Sequence, residues 1–411
     1  IKFLDSIYEI ASTEKEIEKL IEPEALTNNS PFYDFIIVGS GPGGAVSARE
    51  LKKHGFKTLI IEQGGKDDNN KIKPYSYSEM REKYVNAGVN TTFGNCKITY
   101  VEGSTFGGGS EVNSGLYHRT PEEVLNKWAS QYDLKNTSAK DLSKYFKTIE
   151  RELRISYFPK KALPKASLVL AKGAKKLNLN CLEIPRWFDY KDNFSEKGTK
   201  MTMQQTYLKN YILLGGEYIL KSKVIRLKKE GGNWAVFVNQ KTKIKKLITR
   251  NVILSAGTFG TPTILRKSKL SKLAGKSFQM HPTIKIVALF DHEINSEKMG
   301  VPVHQVKDKN YPFSLGCSIS SRPYLNLAML DHPFEKKIVD ENWKRMAIYY
   351  ATIIPETSGK MKKIPFFKNM IPVYNLSKQD KRNLANGLKK LSEVLLSAGA
   401  IKLFPCIQDS F

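Results

Sequence analysis

With 411 residues, 41% of them hydrophobic and 26% charged, the chain is long enough to bury a large core and to form more than one domain; this is not the composition of a disordered or fibrous protein. No run of about 18 apolar residues occurs, so no transmembrane helix is expected within it. The net charge of +26 would suit nucleic acid or an anionic surface, but Arg supplies only 12 of the 66 basic residues, and the lysines (Lys52, Lys160, Lys243, Lys389) are scattered rather than gathered into an arm. Nucleic acid is therefore set aside, and peripheral contact with an anionic membrane face or an acidic redox partner is the milder expectation.

The chain opens on Ile1 rather than Met, which suggests a trimmed, processed or partial chain. Residues 1–30 read as a leader with one helix, N-capped by Thr13, with Glu14, Glu16 and Glu18 in its first turns and Pro23 near its end. A strand–turn–helix–strand unit follows from Asp34 to Glu62, with its helix over Ala45–Lys53. Lys66–Lys97 is polar and turn-rich, and a glycine-dense loop occupies Gly103–Gly109. Helices are predicted over Pro121–Tyr132, Ala139–Glu152 and around Tyr207–Leu213. Short strands at Tyr218–Leu220, Lys223–Lys228, Trp234–Val238 and Lys243–Thr249 read as an antiparallel meander, and Asn251–Ala256 as a separate buried strand. Alternation in Thr283–Phe290, Pro302–Val306 and Trp343–Ile353 predicts a larger antiparallel sheet. Leu384, Leu388, Leu391 and Leu395 make one stripe of a final helix, Lys378–Ala398.

Two glycine motifs carry the chemistry. Gly39, Gly41 and Gly44 form GxGxxG after the apolar strand Phe35–Val38, with Gly43 inside the same turn. The first glycine permits the turn, the second lets backbone approach a pyrophosphate, and the third lets helix and strand pack closely. The helix N-terminus then offers free N–H groups to the phosphates. The next strand, Thr58–Ile61, ends at Glu62 followed by Gln63; a carboxylate there suits a ribose diol and repels an NADP 2′-phosphate. The second motif, Gly103-Ser104-Thr105-Phe106-Gly107-Gly108-Gly109-Ser110, strips side chains from a loop where backbone must touch a flat ring or phosphate, and Ser110 and Asn113 stand ready to add polar contacts. Ser255-Ala256-Gly257 ends a buried strand with small residues, again suited to a dinucleotide.

Taken together these stretches resemble the glucose–methanol–choline (GMC) oxidoreductase family. Asn113-Ser-Gly-Leu-Tyr117-His-Arg119, Tyr207-Leu208 with Lys223-Val224-Ile-Arg226, Val252–Leu265 and Tyr374–Asp380 match in family order, and Glu102–Ser110 with Glu122–Trp128 looks most like the long-chain alcohol oxidase branch. The resemblance implies an α/β fold: a Rossmann-like FAD-binding domain, a parallel sheet with an antiparallel meander, over 31–150 and 201–282, and a substrate-binding domain with an antiparallel sheet and helices over 151–200 and 283–400. It implies FAD on Gly39, Gly41, Gly43, Gly44, Glu62, Gln63, Gly103, Ser104, Thr105, Gly108, Gly109, Asn113, Ala256 and Gly257, with the Val224 backbone at the adenine. Where some members carry a His that bonds covalently to FAD, this chain has Val101, so non-covalent FAD is expected.

The family's catalytic His, with its His or Asn partner, lies beyond the last large helix. This chain stops shortly after that helix, at Pro405–Phe411, so the pair is expected beyond Phe411 and the C-terminal catalytic segment is expected to be absent. Of the six histidines, His54 reads as a helix C-cap, His118 as a neighbour of the glycine loop able to approach the flavin, and His281 as structural. Cys96, Cys181, Cys317 and Cys406 are too far apart for a disulfide scaffold or a zinc site and read as buried thiols. The expected function is oxidation of an alcohol CH–OH group to a carbonyl. The electron acceptor (oxygen, a quinone or a cytochrome) and the compartment, cytoplasmic or membrane-associated, are left open. Alternatives are a non-catalytic flavin-binding or interaction protein, and an NAD-linked reductase that shares the fingerprint alone.

Overall fold

The computed structural model describes residues 31–67, 72–190, 198–241, 243–335, 337–364 and 370–407; the leader helix expected near Thr13 lies outside them. In chain order the main elements are β1 (Tyr33–Val38), α1 (Pro42–Lys53), β2 (Thr58–Ile61), α2 (Lys165–Lys176), β3 (Cys181–Glu183), β4 (Glu217–Ile219), β5 (Ser222–Glu230), β6 (Asn233–Gln240), β7 (Lys243–Leu254), α3 (Gly257–Lys267), β8 (Thr283–Phe290), β9 (His304–Lys307), β10 (Phe313–Cys317), β11 (Met346–Ile353), α4 (Lys378–Ala398) and β12 (Ala400–Pro405). They fall into two compact units. The first holds the described residues up to Asn113, Met203–Met280 and Pro355–Ser377; the second holds Ser114–Thr202, His281–Ile354 and the residues from Lys378 onward.

The first unit is built on a six-stranded sheet in the order β5-β6-β7-β1-β2-β4. β7, β1, β2 and β4 run parallel, while β5, β6 and β7 form the antiparallel meander. β1 is central, and Ile36 and Ile37 are completely buried, as continuous apolar strands of a parallel sheet must be. The sequence reads Lys243–Thr249 and Asn251–Ala256 as two strands, but they are one. No turn residue separates them, and Thr249 is the pivot, opposite Trp234 of the meander on one side and Tyr33 of β1 on the other. Its buried hydroxyl donates to the Tyr33 carbonyl at 2.9 Å. Residues 355–377, placed by sequence in the substrate domain, belong to this unit because their hairpin, Lys360–Lys362 with Ile371–Val373, is tied to Phe93 by backbone bonds at Pro372 and Tyr374.

The second unit carries a six-stranded, wholly antiparallel sheet in the order β12-β8-β11-β10-β9-β3. α2 and α4 pack on one face, where Leu170, Leu391, Val394 and Leu395 meet Ile286, Ala288, Tyr349 and Ala351. Leu384 and Leu388 of the predicted stripe sit at the margin of that core. Residues 114–150, assigned by sequence to the first domain, group with this second unit. The helix Ala139–Glu152 runs straight into the strand Ile155–Ser156, which pairs with Arg186–Asp189, so the chain leaves the first unit at Asn113.

The four cysteines are free thiols, Cys317 buried and the others half-buried. His54 caps α1, its Nδ1 2.8 Å from the Glu50 carbonyl. Among the described residues no helix is long and apolar enough to cross a membrane.

Candidate nucleotide site

The two glycine motifs, 64 residues apart between Gly39 and Gly103, converge within the first unit. Gly39 follows β1 with φ +95°, a left-handed conformation that disfavours any side chain. Gly44, in the first turn of α1, lies against the turn itself, and a Cβ there would stand 1.9 Å from the Gly39 carbonyl oxygen. The second loop then comes down on the first: Gly108, with φ +57°, would drive a Cβ to 2.7 Å from Gly41 Cα. The bare backbone of both motifs is thus spent on mutual contact as well as on surface.

Glu62 fastens the arrangement. It is 5% exposed. Its Oε2 accepts from the Ser40 backbone N–H at 2.9 Å and the Ser40 hydroxyl at 2.7 Å, and its Oε1 accepts from Gly64 N–H at 2.8 Å. Ser40 Oγ in turn accepts from Gly107 N–H at 3.0 Å. A carboxylate has about four acceptor positions, so three donors leave room for one more. The residues after Glu62 continue the link. Gly65 bridges Thr105 in a parallel pairing, and Phe106 N–H donates to the Gly65 carbonyl at 2.7 Å.

The N-terminus of α1 is prepared for an anion. Gly41 at the N-cap provides no side-chain cap, Pro42 follows it, and no acid stands in the first turn. The partial positive charge of the helix end is left for a ligand. Beside these loops lies an open polar groove of about 370 Å³, lined by Gln63, Ser104 and Asn239 and by Lys221, Lys223 and Lys241. Val224, next to Lys223, is buried at the irregular step between β5 and β6.

Most of the predicted residues are brought together, but not all toward a ligand. Thr105 and Ser110 are turned inward: Thr105 Oγ1 donates to Gly65, and Ser110 Oγ donates to the Gly107 carbonyl while accepting from Met203 N–H. Gly43 is looser than its neighbours, since a Cβ there would meet nothing nearer than Ser255 Oγ at 3.6 Å. Gly109 faces open space, and Asn113 is exposed at the end of the short helix Gly109–Val112. His118 lies in the second unit, its Nδ1 3.4 Å from Lys307 Nζ, and His281 is exposed, its carbonyl accepting from the Thr283 hydroxyl.

The sequence did not single out Glu102. Gly257 opens α3 with φ +77°, and a Cβ there would come 3.7 Å from Glu102 Oε1. Burial pushes the Glu102 carboxyl up to about 7, against the Phe259 N–H at the start of α3 and the charge of Lys223, which both act to lower it. An acid whose folded pKa is raised favours the folded state at low pH, and that advantage is lost as the pH climbs from about 4.5 through about 7. The wild type is expected to give up at most about 3 kcal/mol more across this window than Glu102→Gln. Thermal melting of both proteins at pH 5 and pH 8 checks this; parallel pH dependence in the two would sink it. The only signal in the sequence was an acid directly before a glycine run.

Comparison with known proteins agrees with this geometry. A family model described as GMC oxidoreductase matches residues 33–283. An uncharacterised GMC-type oxidoreductase of Sinorhizobium fredii is 26% identical over 389 residues, covering 91% of this chain and 76% of that protein. Two long-chain-alcohol oxidases of Arabidopsis thaliana are 25% and 26% identical, and this chain spans about half their length, 54% and 53%. Among solved structures, pyridoxine 4-oxidase superposes with a TM-score of 0.67 at 13% identity over 90% of this chain and 83% of that one, and formate oxidase with 0.65 at 15% identity over 91% and 82%. At such identities the structural likeness speaks for the fold alone.

Proposed function

Since this chain belongs to the GMC oxidoreductase family, whose cofactor is FAD, we propose that it holds that flavin in the first unit of an enzyme oxidising the CH–OH group of an alcohol to a carbonyl. The observation that carries this is the contact of the two glycine loops across Gly41 and Gly108, locked by Glu62. The residues present fit the cofactor. The uncapped start of α1 and the three lysines of the groove offer charge to a pyrophosphate, and Gln63 and Ser104 add neutral polar groups beside them.

FAD, when bound, supplies the acceptor for a hydride leaving the alcohol carbon. The chain's own part is to bind and orient. The α1 N–H groups would hold the phosphates and the groove lysines would add positive charge beside the nucleotide, while Gly39, Gly44 and Gly108 keep side chains out of the backbone contacts. The alcohol's hydroxyl proton must pass to a base, which we assign to none of the residues above. Val101, 58% exposed, offers no nucleophile for a covalent link to the flavin.

Two measurements test this reading. FAD-loaded full-length protein mixed anaerobically with an alcohol should lose its visible flavin absorbance; bleaching by NADH and by no alcohol would overturn the proposal in favour of a nicotinamide-linked reductase. Acid denaturation should release the flavin entirely into the supernatant, and yellow colour retained in the pellet would contradict non-covalent binding.

A further inference from the structure

The second sheet has one face under α2 and α4 and another of mixed character. At one end of that other face, Val287, Ile348 and Phe404 are covered by Leu325, Met329 and Trp343. The rest is polar. Strand register sets Gln305, Gly316, Tyr350 and Lys285 side by side on β9, β10, β11 and β8. Two residues further along each strand lies a second row, Lys307, Ser314, Thr352 and Thr283. Because alternate residues of a strand share a face, both rows look the same way.

The rows are organised rather than incidental. Tyr350 lies across Gly316, where a Cβ would fall 2.3 Å from the phenolic oxygen, and so reaches Gln305, whose Nε2 donates to it at 2.9 Å. The Thr283 and Thr352 hydroxyl oxygens lie 3.2 Å apart, within hydrogen-bond distance. Neither Lys285 nor Lys307 forms an ion pair with a carboxylate among the described residues. Lys285 is exposed and Lys307 half-buried, and burial lowers the pKa of Lys307. Two such cations stand on the outer two of four adjoining strands and one row apart, about 16 Å from each other at their backbones by ordinary strand spacing and rise. A phenol, an amide and three hydroxyls lie between them, and neither row contains a carboxylate. An alkyl chain laid here would strip water from these groups and return no hydrogen bonds, at about 1–3 kcal/mol for each one left unpaired.

We propose that this face recognises a short alcohol that carries a carboxylate, a hydroxy acid, with Lys285 and Lys307 binding its charge and Tyr350 and Gln305 its hydroxyl. The proposal rests on the alcohol-oxidising reading for its substrate class. Binding is measured by titration calorimetry on the FAD-loaded protein with 4-hydroxybutanoate, butanoate and 1-butanol, and flavin bleaching is recorded separately. In the wild type the hydroxy acid should bind at least tenfold more tightly than 1-butanol. Lys285→Gln and Lys307→Gln should each weaken both acids about tenfold and leave 1-butanol unchanged. Tyr350→Phe should weaken the two hydroxyl-bearing probes and spare butanoate, while all variants keep the wild-type circular dichroism and melting. Equal or tighter binding of 1-butanol, or acid affinities indifferent to both lysine changes, overturns the proposal. Hydroxy-acid binding without bleaching upholds this recognition face and defeats the oxidation reading. Bleaching by 1-butanol with weak binding of both acids does the reverse.

Discussion

Gly44→Val is expected to yield protein that purifies without FAD and melts well below the wild type. The new Cβ would sit 1.9 Å from the Gly39 carbonyl oxygen and 3.2 Å from Ile37 Cγ2. The first of these is backbone, so no rotamer change relieves it, and α1 must lift from β1. Overpacking of a core by a few carbons already costs about 1–3 kcal/mol where side chains can adjust; a clash with main chain costs at least that. Lifting α1 also withdraws the helix N-terminus from the phosphates. Gly43→Ala is the control, because its Cβ meets Ser255 Oγ at an ordinary 3.6 Å. It should fold and retain flavin. Flavin-to-protein absorbance ratios and melting temperatures of the two variants decide the matter, and a Gly44→Val protein with a full complement of FAD would refute the packing argument.

The second large effect is expected at Glu62. Replacement by Ala leaves the Ser40 amide, the Ser40 hydroxyl and the Gly64 amide without their acceptor. Each buried donor left unsatisfied costs about 1–3 kcal/mol. With relaxation and entry of water, a loss on the order of 3 kcal/mol is reasonable, or about 6–12 °C in melting temperature for a unit of this size. FAD affinity should fall by at least tenfold, since the loops no longer hold each other in register. Glu62→Gln keeps one acceptor and should fall between the wild type and Glu62→Ala in both measurements. An unchanged melting curve for Glu62→Ala would show that the three hydrogen bonds are replaced by water without cost.

What was legible in the sequence was local. The fingerprint at Gly39–Gly44 encodes a turn and a helix, with an acid just after the next strand; turn and acid stand where the spacing puts them, while the helix starts at Pro42, three residues before the expected Ala45, because Gly43 and Gly44 already sit in its first turn. α4 was legible because 21 residues of helical periodicity leave little choice. What was missed depends on partners far apart in the chain. β7 looked like two strands because its two halves serve different neighbours and so carry different patterns: Lys243–Arg250 alternates, as the wet meander requires, and Asn251–Leu254 does not. The unit boundary at Asn113 was hidden because the glycine run just before it, Gly107–Gly109, reads as part of the ligand loop. Glu102 owes its raised carboxyl to burial that only the folded chain creates, and the polar rows of the second sheet exist only once four strands are in register. The inward hydrogen bonds of Thr105 and Ser110 were not legible for the same reason, since their partners Gly65 and Met203 are remote in sequence.

One consequence of the unbroken β7 is mechanical. A single 12-residue strand runs from the lysine-rich rim of the meander to the floor beneath Ser255, with the Thr249 hydroxyl pinned at its middle. Its outer half hangs on one neighbour and its inner half is clasped by β1. Amide exchange along this strand should therefore slow in a step past Thr249 rather than gradually, because the rim can fray while the inner half opens only when the whole parallel core does. The strand acts as a lever with its fulcrum indoors, so a tug on the meander is delivered to the turn that begins α3.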